Sequence, residues 1–531
     1  MKSKTLTYIA FTTAITALIA PRPLVAQDNP DVSGKQRNYT VTSLGLLGGT
    51  LSSAYGINNR GWVTGAANLE GDQNEHPFLW RDGVMSDVGT NGGPNGSAGF
   101  PLKNNRGLVV GFAQTSTPDP LAENWTLYCN LSETQPCEGS NLVMSGFAWQ
   151  DGVKTLMPTL GGNHGYATGA NNSGQVVGFA ETANQDSTCV PPQVLDYEAV
   201  IWNPVEGKIR MLPPFPGDSI GAAIGINDRG QVVGTSGQCA PVSPAIAVHA
   251  LLWQNGRVTN LGSLGGLTGN LAYAINNRTQ VVGISDVAGD TTAHAFLWQN
   301  GKMIDLGTLP GDVFSVAFSI NNRGQVVGES CDASGNCRAF LWQNGVMTDL
   351  NTLIPSSSPL YLLAAYDLND QGAIVGQGFD PVSGDAPGFL AAPSSCDDAV
   401  ESAATAERMQ PRKIVLPDSI RLRMREKLHV GPFAAPPTGT SNPSSSSPAD
   451  QQTLACAETR DVTVDTGTQN GYSRVSTTGK ITGYCLARGH FPCLAAPSAI
   501  CPTGASVLQK GWQACNLWRP LEIDLARPCS F

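Results

Sequence analysis

Five side chains between positions 164 and 312 have the types that acid–base or binding chemistry would need: His164, Glu181, Asp186, Asp218 and Asp312. Two carboxylates held roughly 5–10 Å apart can hydrolyse a glycoside, one acting as acid and the other as base or nucleophile. Sequence gives no distances, so the competing expectation is a solvated acidic rim, with His164 a surface residue. A second pattern, Gly-Asp-Ser-Ile-Gly at 217–221, matches the G-x-S-x-G nucleophile elbow. That elbow needs a strand, a sharp turn and then a helix. Here a β-type segment follows Ser219, and an equivalent copy carries Val313 in its place, so Ser219 is not expected to be a nucleophile. The catalytic residues are therefore unknown, and a binding protein is favoured over an enzyme.

Thiol chemistry is the third candidate. All 13 cysteines follow residue 26, and in an oxidising compartment they are disulfide candidates before they are metal ligands. Cys129 with Cys137, and Cys331 with Cys337, each fall within one insertion. Cys189 and Cys239 occupy neighbouring insertions and could tie them together. Cys456, Cys485, Cys493, Cys501, Cys515 and Cys529 crowd into the last 79 residues, and Cys396 is left over. With no C-x-x-C pair, a zinc site near His490 is the lesser reading of the tail. Glycine clusters such as Leu-Leu-Gly-Gly-Thr lack the lysine and helix of a phosphate loop, so no cofactor or metal is implied.

The elements that would carry these residues are written as a repeat. Trp-Gln-Asn-Gly or a close variant stands at 80–83, 149–152, 253–256, 298–301 and 342–345. Asn-Gly or Asp-Gly between apolar stretches is the strongest short signal for a β-hairpin. A second turn of the type Ile-Asn-Asn-Arg-Gly recurs seven times, at 57–61, 103–107, 170–174, 226–230, 275–279, 320–324 and 368–372. Thr279 is the one exception to its final glycine. An apolar strand ending in glycine follows each copy. The sixth unit reads as four strands, A 315–320, B 325–330, C 339–343 and D 346–350. Four strands in about 45 residues is one blade of a β-propeller. The array opens with a lone D-type strand at 39–45 and closes with a C-type strand near 387–392. That makes seven blades, the last completed by the first strand, and closure of this kind removes exposed sheet edges.

His294-Ala295-Phe296, with near copies at His249-Ala250-Leu251 and His76-Pro77-Phe78, sits before Leu-Trp-x-Asn-Gly and is joined by the recurring Ile-Asn-Asn-x-Gly-Gln-Val-Val-Gly. Together these resemble the HAF repeats of bacterial extracellular proteins over roughly 39–393. The resemblance implies an exported repeat protein and brings no catalytic residues. The repeated histidines are read as a packing device.

In such a ring the A–B and C–D turns share one face and the B–C and D–A connections the other. All insertions fall on the second face, at 112–146, 179–198, 235–248 and 331–337, and loops on a rigid scaffold are where binding concentrates. The fold class expected is all-β, a seven-bladed propeller over 39–395 plus a small disulfide-rich C-terminal module. Around it, 1–26 reads as a secretory signal peptide, 27–38 as an N-terminal segment, and 396–430 as charged and partly helical. Residues 431–452 read as a Pro/Ser/Thr linker and 453–531 as the cysteine-rich module. Removing Lys2, Lys4 and Arg22 with the signal takes the formal charge from −10 to −13, which disfavours nucleic acid as a partner. The expected partner is an extracellular glycan or protein bound on the loop-rich face, with no membrane span after cleavage and no oligomeric state indicated. A polysaccharide-acting hydrolase or lyase, or a purely structural envelope protein, is the alternative.

Overall fold

The computed structural model describes residues 38–99, 104–123, 125, 141–187, 189, 193–239, 247–290, 292–394, 414–418 and 420–421, with strand backbone also at 460–464, 468–469, 472–473 and 477–481. Seven four-stranded antiparallel sheets form a propeller ring, each ordered A to D from the axis outward. Blades 1 to 6 span 48–87, 92–156, 161–212, 220–260, 271–305 and 314–349. Blade 7 takes strands A to C from Tyr361–Leu368, Ile374–Phe379 and Gly388–Pro393, and its D strand from Tyr39–Gly45. The closing register runs from Tyr39 opposite Pro393 to Gly45 opposite Gly388, as the split repeat requires.

The local reasons are those of the repeat. Asp82, Asp151, Asn255, Asn300 and Asn344 have φ of 50–53°, and the glycines after them 74–86°. Two successive positive φ values make the tight hairpin turn that matches strand twist. The glycine ending each Val-Val-Gly is fixed by packing. A Cβ on Gly283 would lie 2.0 Å from Leu271 O on strand A and 2.9 Å from the Phe296 ring on strand C. Phe296 fills the space that this glycine vacates.

The paired asparagines join the blades. The second residue of each A–B turn donates its backbone N–H to the side-chain oxygen of its counterpart in the next blade. The series runs Asn59 to Asn105, Asn172, Asp228, Asn277, Asn322, Asp370 and back to Asn59, at 2.7–3.0 Å. The first asparagines make a second series. Asn171, Asn227, Asn276, Asn321 and Asn369 each donate Nδ2 to the carbonyl of the next blade's first asparagine at 3.0–3.1 Å. Blades 1 and 2 interrupt this inner series: Asn58 Nδ2 makes no hydrogen bond among the described residues, and Asn104 Nδ2 turns to Leu108 O at 2.7 Å.

Each of six A strands carries a one-residue register shift, at Tyr55, Thr168, Ile224, Tyr273, Phe318 and Tyr366. A bulge re-aims the extra side chain. Here it brings rings from four of those strands together, with centroids 5.0 Å apart for Tyr55–Tyr366, 5.1 Å for Phe318–Tyr366 and 5.5 Å for Tyr273–Phe318. The preceding alanines (54, 167, 223, 272, 317 and 365) are fully buried, so small side chains let the A strands converge.

Ile414, Leu416 and Ile420 return to the ring and pack on Tyr55, Tyr361, Leu363, Tyr366 and Phe379. Leu416 N–H reaches Asn336 Oδ1 at 3.4 Å. A second unit spans Thr440–Phe531. In it Arg460–Val464 pairs with Thr477–Ile481, and Thr468–Gln469 with Tyr472–Ser473.

Candidate functional site

The insertions of blades 2, 3 and 4 are joined to one another on the loop-rich face. After strand B of blade 2 the chain turns through Asp119 to Glu123. Glu123 Oε1 accepts the backbone N–H groups of Val194 and Leu195 in the blade 3 insertion, both at 2.7 Å. Trp125 Nε1 donates to Gln193 Oε1 at 2.8 Å. Its indole stacks on His164 and packs edge-on to Tyr166 and Tyr197. Cys189 and Cys239 form a disulfide that fastens the blade 3 insertion to blade 4. The described parts of the insertions of three consecutive blades are therefore tied together at several points into one sector.

At the base of this sector lies a buried polar cluster. His164 and Glu181 are fully buried, Glu123 is 1% exposed and Asp119 6%. Glu181 Oε2 accepts the N–H groups of Asn163 and His164 at 2.9 Å each. Gln193 Nε2 donates to both Glu181 and Glu123, at 3.1 and 3.2 Å. Asp119 accepts from Asn163 Nδ2 at 3.1 Å and from the Glu123 backbone N–H at 2.5 Å. Among the described residues no lysine or arginine pairs with these carboxylates. Burial, then the Glu123 charge, pushes Glu181 up to about 8. Burial also raises Glu123, against the N–H bonds from Leu195 and Val194. A carboxyl pair without a cation holds a proton instead, since isolated buried charge is too costly.

His164, Asp119 and Glu123 approach within 4.8 Å of one another, a spacing that invites a metal reading. The ring's own hydrogen bond argues against it. Met144 N–H donates to His164 Nδ1 at 3.0 Å, so the neutral ring carries its proton on Nε2. Nε2–H faces Asp119 Oδ1 at 3.5 Å and offers no lone pair. Burial lowers His164 to about 4 against the opposing pull of Asp119, which keeps the ring neutral. Two other groupings, Asp186 with Cys189 and Cys239, and Glu329 with Cys331 and Cys337, contain only disulfide-bonded cysteines.

Of the five residues singled out from sequence, the fold brings two together. His164 and Glu181 share the cluster, and His164 is a core residue rather than the surface residue expected of it, because Trp125 covers it. Asp218 instead accepts from Ser236 and bonds His249 Nδ1 at 2.8 Å. Asp312 pairs with Arg338 at 2.8 Å. Asp186 is half-buried beside the Cys189–Cys239 bridge. No solvated rim of carboxylates results from these four. Sequence reading missed Asp119, Glu123, Trp125 and Gln193, which lie within insertions where no period marks them.

The repeated histidines bond rather than merely pack. His76 meets Asp87 at 2.8 Å and His294 meets Asp305 at 3.0 Å, each 11 residues on. Arg338 reaches Asp349 in the same way at 3.1 Å. These pairs staple strand C to the end of strand D. Ser219 is followed directly by the strand Ile220–Ile226, so the elbow is absent there. The Cys331–Cys337 bridge closes the blade 6 insertion. Cys129, Cys137, Cys396, the six cysteines of the tail, the 1–26 signal and the 431–452 linker lie outside the described residues.

The ring, its closure and its seven sheets define the class: an all-β, seven-bladed propeller with an elaborated loop face. No protein-family model and no curated protein matches the sequence. Among solved structures the chain is similar to an oligogalacturonate lyase from Vibrio parahaemolyticus, at 11% identity and TM-score 0.40, over 66% of this chain and 93% of that one. It is also similar to the Aleuria aurantia lectin in complex with Fucα1-6GlcNAc, at 10% identity and TM-score 0.28, over 64% and 91%. A gluconolactonase from Xanthomonas campestris aligns at 10% identity and TM-score 0.27, over 54% and 90%. Likenesses this distant carry no activity across to this chain.

Proposed function

We propose that this is an exported HAF-type repeat protein that binds an extracellular glycan or protein through the sector of blades 2 to 4. The observation that carries this reading is the welding of three insertions by Glu123, Trp125, Gln193 and the Cys189–Cys239 bridge. Loops held in one geometry lose less conformational freedom when a partner docks. The cluster beneath is sealed from solvent and positions the sector; it is not a place where substrate reacts. A polysaccharide-cleaving role would need convergent carboxylates open to solvent, and the acidic pair found here, Glu181 and Glu123, is buried.

Glycan-array and pull-down screening of the full chain identifies the partner, and Glu123→Ala and Trp125→Ala then test the sector. Both variants should lose binding at least about tenfold, as truncated anchors do. Unchanged affinity in both, with the fold intact, would reject the sector as the binding surface.

A further inference from the structure

The opposite face holds a feature that the repeat does not explain. Six of the seven A–B turns end in glycine at φ 71–91°: Gly61, Gly107, Gly174, Gly230, Gly324 and Gly372. Blade 5 has Thr279 there, at φ 62°. A β-branched residue in the left-handed region is strained, and strain of this kind collects where structure serves a ligand. Thr279 Oγ1 donates to Gln231 Oε1 of blade 4 at 3.0 Å.

Thr279 lines a hollow of about 300 Å³ together with Arg278, Gln280, Trp298, Gln299 and Asn300. That is the lower end of the volume range of small-molecule sites. The indole of Trp298, partly buried against the core of blades 4 and 5, supplies an apolar surface. Gln280 is fixed on both sides, its Oε1 accepting from Asn276 Nδ2 at 2.8 Å and its Nε2 donating to Gln299 Oε1 at 2.9 Å. The exposed Arg278 guanidinium leans over Gly324 of blade 6, where a Cβ would come within 2.8 Å of Nη2. Glycine there leaves room for the arginine. Among the described residues no carboxylate lines the hollow.

We propose that this hollow binds one pyranose ring, a second site on the short-turn face that is independent of the sector of blades 2 to 4. The C–H face of a pyranose packs on Trp298. Its hydroxyls, or the carboxylate of a uronic acid, meet Arg278 and the side-chain amides, which donate and accept as vicinal hydroxyls do. The other blades keep glycine at the turn, so blade 5 is set apart.

The full chain is titrated with methyl glycosides of neutral hexoses and of hexuronic acids, followed by ligand-observed NMR. At least one glycoside should bind with a Kd below about 10 mM. Trp298→Ala should weaken it at least about tenfold, while Trp342→Ala, the equivalent change in blade 6, leaves it unaltered. With Arg278→Gln, loss confined to uronides assigns an acidic sugar, and loss for neutral glycosides assigns hydroxyl recognition. The proposal is overturned if no glycoside binds below that limit, if Trp298→Ala binds like wild type, or if Trp342→Ala loses binding equally. The sector variants Glu123→Ala and Trp125→Ala leave this titration unchanged, so its outcome is separable from that of the sector.

Discussion

The backbone N–H of Asp370 donates to Asn59 Oδ1 at 2.9 Å across 311 residues of chain. This bond closes the seven-membered series between A–B turns, on the face opposite the insertions. It reinforces the sheet closure by which Tyr39–Gly45 completes blade 7. Asp370 Oδ1 also accepts Asn322 N–H at 2.9 Å, and its Oδ2 accepts the side-chain amides of Asn59 and Asn322 at 3.0 and 3.1 Å.

Asp370→Ala removes three of those bonds, all of them exposed, and should cost about 0.5–1.5 kcal/mol, because water satisfies the freed donors. Urea unfolding checks it. A loss under a few tenths of a kcal/mol would show that the series is decorative.

The Val-Val-Gly glycines should be among the least replaceable residues. Gly283→Ala forces a Cβ into Leu271 O and Phe296 and is expected to cost more than about 3 kcal/mol or prevent folding. Gly301→Ala, at φ 77° with open space around it, should cost only about 1 kcal/mol. Thermal denaturation of the two variants should rank them in that order.

The carboxyl pair gives a pH dependence of known sign. Glu181 is raised to about 8 in the fold from an ordinary value of 4.5, so the folded state holds a proton that the unfolded chain has released. Its contribution is complete below about 4.5 and is lost as pH rises to about 8, worth on the order of a few kcal/mol. Glu181→Gln should flatten the decline between pH 5 and 8 relative to wild type. Parallel melting curves for the two proteins over that range would contradict the assignment. Burial, then the Asp196 charge, also raises Glu198 to about 8, so part of the wild-type slope persists in the variant.

The two bridges should differ in worth. Cys189–Cys239 spans 50 residues and Cys331–Cys337 only 6. Chain-entropy reasoning then makes the first more stabilising, by about 2 kcal/mol. Paired Cys→Ser variants, unfolded in guanidinium, measure the difference; a larger loss from the short loop would mean that native-state packing around the bridge, not chain entropy, dominates.

Much of this architecture was legible because the repeat states it seven times. The Asn-Gly and Asp-Gly hairpins, the four strands per unit, the split seventh blade and the Cys189–Cys239 tie all follow from local turn chemistry and from counting. Turn residues need particular φ values whatever surrounds them, so their identity survives in the sequence. What the sequence did not disclose is which side chains meet across blades. The two adjacent asparagines read as a turn signal, yet each bonds a residue roughly one repeat away, and only ring closure gives it that partner. His164 read as a surface residue until Trp125, 39 positions earlier, covered it. Asp119, Glu123 and Gln193 carry no period at all, and Glu181 beside them keeps its proton near neutral pH only because folding takes it and the neighbouring Glu123 out of water together. Local geometry was written along the chain; burial and long-range pairing came from the ring, since both depend on distances that no single repeat contains.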